Sequence, residues 1–138
     1  MLVTPSGTVD DKPAQLTNPQ KARYTLVDFW FSRCGACIDQ FPTLKTLFSQ
    51  YRRTDFNVVQ ISIDKKAEVP LWKKTIQQHA LPWLQYLDES GKFTSGTLAI
   101  NAFPSNFLLD QQGKIIRRDV RMDELTKFLA GNVPTSVR

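Results

Sequence analysis

Between residues 24 and 63 the hydrophobic pattern changes period twice. The run Tyr24-Thr25-Leu26-Val27-Asp28-Phe29-Trp30-Phe31 is β-branched and aromatic on both faces, as in a strand covered on two sides. After Ser32 the apolar positions step by three and four through Cys34, Cys37, Ile38, Phe41, Leu44, Leu47, Phe48 and Tyr51, which predicts one long amphipathic helix. Pro42 inside that pattern predicts a kink, because proline removes one intrahelical hydrogen bond. Phe56 to Ile63 reads as a second buried strand, and a helix-length link between two such strands predicts a right-handed parallel crossover.

Val69, Trp72, Ile76 and Ala80 outline a further helix stopped by Pro82, and Trp83 to Leu87 a short strand before the Asp88-Glu89-Ser90-Gly91 turn. The stretch 92–101 is read as a short helix. Phe107 to Asp110 and Lys114 to Arg118 flank Gln111-Gln112-Gly113, a hairpin with glycine available for a positive φ angle. Met122, Leu125, Phe128 and Leu129 define a terminal helix that Gly131 is placed to cap. The order predicts an α/β domain over residues 21–132. Pro5, Pro13, Pro19 and Gly7 mark residues 1–20 as a lead-in, loop or short hairpin against a sheet edge, and residues 133–138 are read as a flexible tail.

At 138 residues the chain has room for one core, and 41% hydrophobic residues are enough to build it. No stretch approaches the roughly 18 apolar residues of a membrane-spanning helix, and no basic segment followed by an apolar run opens the chain. The formal charge of +5 comes from pairs such as Arg52-Arg53, Lys65-Lys66, Lys73-Lys74 and Arg117-Arg118. These are scattered rather than interleaved with aromatics, so no nucleic-acid partner is expected.

Cys34 and Cys37 change the picture more than the charge does. Two cysteines cannot make a multi-bridge framework, and with His79 as the one further soft ligand they cannot fill a four-ligand zinc site, so no metal is expected. Cys34 follows a buried strand and opens a helix, where unpaired backbone N–H groups favour a thiolate. Cysteines so placed ionise at roughly pH 3.5 to 7.5, and the thiolate is the form that attacks disulfides. Cys37, one turn deeper, is suited to resolve the mixed disulfide, while the small Gly35 and Ala36 let a partner backbone approach. Arg33 would place a cation beside the attacking sulfur, or else face solvent. Asp28 is costly in a two-sided apolar strand, and six residues before Cys34 it can lie beneath Cys37 and accept its proton; pairing with a lysine or the backbone is the alternative.

Val27-Asp28-Phe29-Trp30-Phe31-Ser32-Arg33-Cys34-Gly35-Ala36-Cys37, with Pro42 five residues on, resembles the active-site region of thioredoxins. Phe103-Pro104-Ser105-Asn106-Phe107-Leu108-Leu109-Asp110 with Gly113-Lys114-Ile115 resembles the family's cis-proline segment and following hairpin. The helix and strand between Asp64 and Asn101 resemble the insertion of the TlpA/ResA-like branch, thiol-disulfide oxidoreductases of bacterial envelopes. The resemblance implies a thioredoxin fold, a central mixed sheet flanked by helices with an inserted helix-strand unit. It implies Cys34 as nucleophile, Cys37 as resolving thiol, Asp28 as buried acid, Trp30 beneath the site and Pro104 as the cis-proline. A cis bond there would present the Phe103 backbone to an extended substrate, with the Phe103 ring as an apolar rim, so Trp30, Arg33, Gly35, Ala36, Phe103 and Pro104 form the expected substrate face. Arg33 and Ala36 depart from the tryptophan and proline of many relatives, which leaves the redox potential and the direction of electron flow unassigned.

The expected function is thiol-disulfide exchange with protein dithiols or disulfides and an upstream redox donor or acceptor. The Cys34–Cys37 pair needs no dissociable cofactor, and a monomer is expected. Resemblance places the protein in the periplasm or facing the cell envelope, and the short lead-in leaves room for a leader or anchor ahead of Met1. Two alternatives are a thiol peroxidase, which would want threonine where Phe31 stands, and a Cu(I) carrier using both thiolates. A purely structural module would leave Cys34, Arg33 and Asp28 unexplained. His79, Trp72 and Trp83 are assigned to packing, and Asp88-Glu89 to a solvated corner.

Overall fold

Residues Tyr24–Trp30 form a strand with every position after Tyr24 buried, and this strand, β3, lies inside the sheet with a partner on each side. The computed structural model describes residues 2–4, 9–10 and 22–134. Around β3 run β1 (Leu2–Val3), β2 (Val9–Asp10), β4 (Phe56–Ser62), β5 (Leu84–Asp88), β6 (Ser105–Leu109) and β7 (Ile115–Arg118), in the order β2-β1-β5-β4-β3-β6-β7. The β3–β4 and β4–β5 pairs are parallel and the others antiparallel, which is the mixed sheet the α/β reading implied. The lead-in pairs as β1 and β2 on the β5 edge, and residues 1, 5–8 and 11–20 lie outside the described residues.

Alternation along β3 splits the core in two. Leu26 and Trp30 join Cys37, Phe41, Leu44, Trp72, Leu125 and Leu129, contributed by helices. Val27 and Phe29 join Val59, Ile61, Phe107 and Leu109 on the other face, against which Phe93, Leu98 and Ile100 pack. Lys92–Thr97 supplies that second cover as a π-helical stretch, the short helix expected at 92–101.

The long helix after Cys34 is two helices, α1 (Gly35–Ile38) and α2 (Phe41–Gln50). Pro42 has no N–H and its ring excludes the carbonyl four residues back, so the ladder stops rather than merely bending. Gln40 N–H bonds Cys37 O at 3.2 Å, and Pro42 occupies the first turn of α2, where a missing donor leaves nothing unpaired. Helix α3 spans Val69–Gln78 and ends two residues before the expected Ala80. Ala80 has φ 48°, its N–H bonds Gln77 O, and Leu81 N–H reaches back to Ile76 O. This is the paired closure that usually takes glycine at the left-handed position.

Two further expectations are corrected at turns. Asp88 is buried rather than solvated, because its carboxylate accepts the backbone N–H groups of Phe93 and Thr94 and so starts the π-helical stretch. Helix α4 (Met122–Asn132) runs through Gly131 and ends at Val133, whose extended backbone carries its side chain into the core, so the tail is not free from residue 133. The tail beyond Pro134 lies outside the described residues. The hairpin turn is as expected, with Gly113 at φ 82° and its N–H on Asp110 O at 3.0 Å.

Ala80→Gly removes the Cβ penalty of the left-handed conformation and should stabilise the fold by about 1 kcal/mol. Urea unfolding monitored by tryptophan fluorescence checks this; a midpoint equal to or below that of the parent would contradict it.

Candidate active site

β3 ends at Trp30 and α1 begins at Gly35, so the chain reverses its hydrogen-bonding habit within four residues. A buried carboxylate makes that possible. Asp64 accepts the Ser32 N–H on both oxygens at 3.1 Å and the Ser32 hydroxyl at 2.8 Å, and the Ser62 hydroxyl as well. With Ser32 anchored, Cys34 N–H bonds Phe31 O at 3.0 Å and Cys34 becomes the N-cap of α1. Its sulfur accepts the N–H of Cys37 at 3.2 Å. The two sulfurs are bonded at 2.17 Å, with Cys34 7% exposed and Cys37 0%. Cys34 thus keeps a small exposed fraction while Cys37 is fully enclosed.

Asp28 shares the sheet face of Leu26 and Trp30, the face against which Cys37 packs. Its partner is neither lysine nor backbone but the amide of Gln60, whose Nε2 donates to Oδ2 at 2.8 Å; Oδ1 has no hydrogen-bond partner among the described residues. Burial pushes the carboxyl up to about pH 7, with the Gln60 hydrogen bond pulling modestly the other way. A group that titrates there can exchange a proton near neutrality.

The expected substrate face divides. Gly35 and Ala36 are exposed beside the disulfide, and a Cβ at Gly35 would meet nothing within 4 Å, so the surface is open there. The Phe103–Pro104 bond is cis, and Phe103 stacks edge-on against Phe31 at 5.7 Å, which brings this distant segment beside the Cys34 loop. Trp30 is corrected. Its side chain is 0% exposed and packs edge-on against Phe41 at 5.2 Å, so it supports α2 and cannot touch a substrate. Arg33 is exposed and its Nε lies 3.1 Å from Glu68 Oε1, so of the two readings of this cation the structure shows an ion pair at the surface. Phe31, Arg33, Ile63, Asp64, Lys65 and Glu68 line a cleft of about 280 Å³ on that side.

Sequence reasoning missed Asp64, Gln60 and Glu68. For the first two a signal existed, since Gln60, Ser62 and Asp64 put three polar residues into or just after a strand read as wholly buried. Glu68 carried none. His79 packs against the Phe41 ring at 5.5 Å, and Trp72 is in the core, consistent with packing roles.

The buried Asp28 carboxyl couples folding to pH. The folded state keeps the proton up to about pH 7 whereas an ordinary Asp loses it near 3.8, so stability falls as pH rises between those values and is flat above. Asp28→Asn should therefore stabilise the protein on the order of 2–4 kcal/mol at pH 8 and make little difference at pH 4. Urea titrations at both pH values test this; an equal change at each would refute the assignment.

The Redoxin family model matches residues 3–129. A thiol-disulfide oxidoreductase from Bacteroides fragilis NCTC 9343 superposes with a TM-score of 0.77 at 29% identity, covering 96% of this chain and 95% of that one. The thioredoxin domain of a thiol-disulfide oxidoreductase from Bacteroides vulgatus gives 0.77 at 27% identity, covering 96% and 91%. A thiol-disulfide oxidoreductase ResA of Bacillus cereus is 24% identical over 98 residues, 71% of this chain and 55% of that protein. The chain spans about half the length of the curated relatives it matches. A thioredoxin fold with a Cys-Gly-Ala-Cys helix start, matched over nearly its whole length, belongs to the Redoxin family, and within it the chain is TlpA/ResA-like.

Proposed function

We propose that the chain is a thiol-disulfide oxidoreductase that exchanges two electrons with dithiols or disulfides of partner proteins through Cys34 and Cys37. The observation that carries this reading is the bonded pair with one sulfur at a helix N-cap and its twin fully enclosed. In the reducing direction the Cys34 thiolate attacks a partner disulfide, forming a mixed disulfide and releasing one partner thiolate. Cys37 then yields its proton to Asp28, attacks the Cys34 sulfur, closes the intramolecular disulfide and releases the second thiolate. The oxidising direction runs the same steps backwards.

Gly35, Ala36, Arg33, Phe103 and Pro104 form the surface a partner segment meets, with the Phe103 backbone positioned to pair with an extended strand. The chemistry requires no dissociable cofactor, metal or nucleic acid, and the working unit is a monomer that is recharged by a second redox protein. The likeness to TlpA/ResA proteins supports a place outside the cytoplasm, facing the cell envelope. No helix among the described residues is long and apolar enough to cross a membrane. At the position where a thiol peroxidase would use a threonine hydroxyl, Phe31 offers a ring packed on Phe103.

A Cys37→Ser variant should hold partners as mixed disulfides on Cys34, identifiable by mass spectrometry, whereas Cys34→Ser should hold few. In the same variant Cys34 should react with iodoacetamide at pH 7 about tenfold faster than free cysteine, as a thiolate-rich sulfur would. Reaction no faster than glutathione would remove the reading.

A further inference from the structure

Gln60 stands at the middle of a buried polar chain. The orientation of a side-chain amide is ordinarily an assignment between two equivalent fits. Here a neighbour settles it. The indole Nε1 of Trp83 can only donate, so the Gln60 atom 2.6 Å from it is the oxygen. That oxygen also accepts from Gln85 Nε2. The Gln60 nitrogen must then face Asp28, where it donates to Oδ2 at 2.8 Å. Gln85 could turn over together with Gln60, because an amide offers a donor or an acceptor; Trp83 could not.

We propose that Trp83, acting through Gln60, is a positioning residue that commits Oδ2 of Asp28 to a hydrogen bond and leaves Oδ1 as the atom that takes up and releases the Cys37 proton. The proposal rests on the oxidoreductase reading. With Gln60 as found, the buried carboxylate keeps one donor while ionised, and Oδ1 has no hydrogen-bond partner among the described residues. With Gln60 reversed, its oxygen would face Oδ2, only a protonated carboxyl could satisfy it, and the proton would be pinned on the wrong atom.

In the step concerned, the Cys37 S–H bond breaks and its proton forms an O–H bond at Oδ1. The sulfur's electron pair forms the Cys34–Cys37 bond, and the partner leaves with the electrons of the mixed disulfide. Asp28 then returns the proton to water or to the departing thiolate. The strand neighbours of Asp28 are Gln60 and Asn106, both amides. Titratable groups on the elements around it include Cys34 and Cys37 on α1, Lys45 on α2, Lys73 and Lys74 on α3 with His79 after it, Asp64 after β4, Tyr86 and Asp88 on β5, and Asp123, Glu124 and Lys127 on α4. Lys45 donates to the His79 carbonyl, His79 stacks on Phe41, and Asp64 is turned to Ser32 and Ser62.

Trp83→Phe keeps a ring but deletes the donor. Followed by carbon NMR of the Asp28 carboxyl in the oxidised protein, the midpoint should rise by about one pH unit, a tenfold fall in its dissociation constant. The pH midpoint of mixed-disulfide resolution should rise with it. Mixed-disulfide formation with oxidised glutathione, measured in the Cys37→Ser background, should stay within about twofold. An unchanged Asp28 midpoint overturns the proposal. Should the variant fail to fold, the native protein answers: the Trp83 indole N–H resonance should shift with the same midpoint as the Asp28 carboxyl, and a resonance flat through that range overturns the link. Failure of the native pair to exchange with glutathione at all would instead overturn the oxidoreductase reading and its Cys37 step, while the two titrations still judge whether Trp83 governs Asp28.

Discussion

Each residue of β3 lies opposite the residue 32 positions later in β4, and both halves of the site follow from that parallel register. Asp28 meets Gln60, Trp30 meets Ser62, and the same offset carried past the strand ends brings Ser32 to Asp64. Side chains alternate faces along a strand, so a slip of one residue would turn Gln60 away from Asp28 and deprive the Cys34 loop of its anchor in the same stroke. What holds the register is apolar burial on both faces, through Leu26 and Val58 on one side and Val27, Phe29, Val59 and Ile61 on the other. The polar groups could not hold it themselves, because a buried hydrogen-bond network is favourable only when every member is already in place.

The same register produces two buried carboxylates with different work. Asp64 accepts the Ser32 N–H and the hydroxyls of Ser32 and Ser62, and so ties the Cys34 loop to the end of β4. Asp28 has one donor, Gln60, and its burial pushes the carboxyl up to about 7 against that hydrogen bond.

This also explains what could be read from the chain and what could not. β3, the N-cap position of Cys34, the Gly113 turn and the interruption at Pro42 rest on neighbours within one or two turns, and the local pattern reveals them. At Pro42 that pattern predicts a bend where the helix in fact breaks, because periodicity continues across Asp39 and Gln40 whether or not the backbone ladder does. Arg33 with Glu68, Ser32 with Asp64 and Asp28 with Gln60 span 35, 32 and 32 residues. Those contacts exist only after the strands have paired, so polar residues in a buried strand mark Asp28, Gln60 and Asp64 as needing partners without saying which. Asp88 misleads for a related reason: an acid beside Glu89, Ser90 and Gly91 looks solvated until the N–H groups of Phe93 and Thr94 fold back onto it.

Arg33 adds little to the asymmetry between the two sulfurs, because its charge is shared with Glu68 in an exposed ion pair worth on the order of 0–1 kcal/mol. What distinguishes Cys34 is the backbone, which presents the Cys37 N–H to its sulfur at the start of α1. What distinguishes Cys37 is depth, one turn further along and closed off from solvent. Neither depends on the side chain at position 33. The difference between the two sulfurs is therefore a property of a strand ending, a turn anchored by Asp64 and a helix beginning, and the side chain between Ser32 and Cys34 lies at the exposed surface beside them.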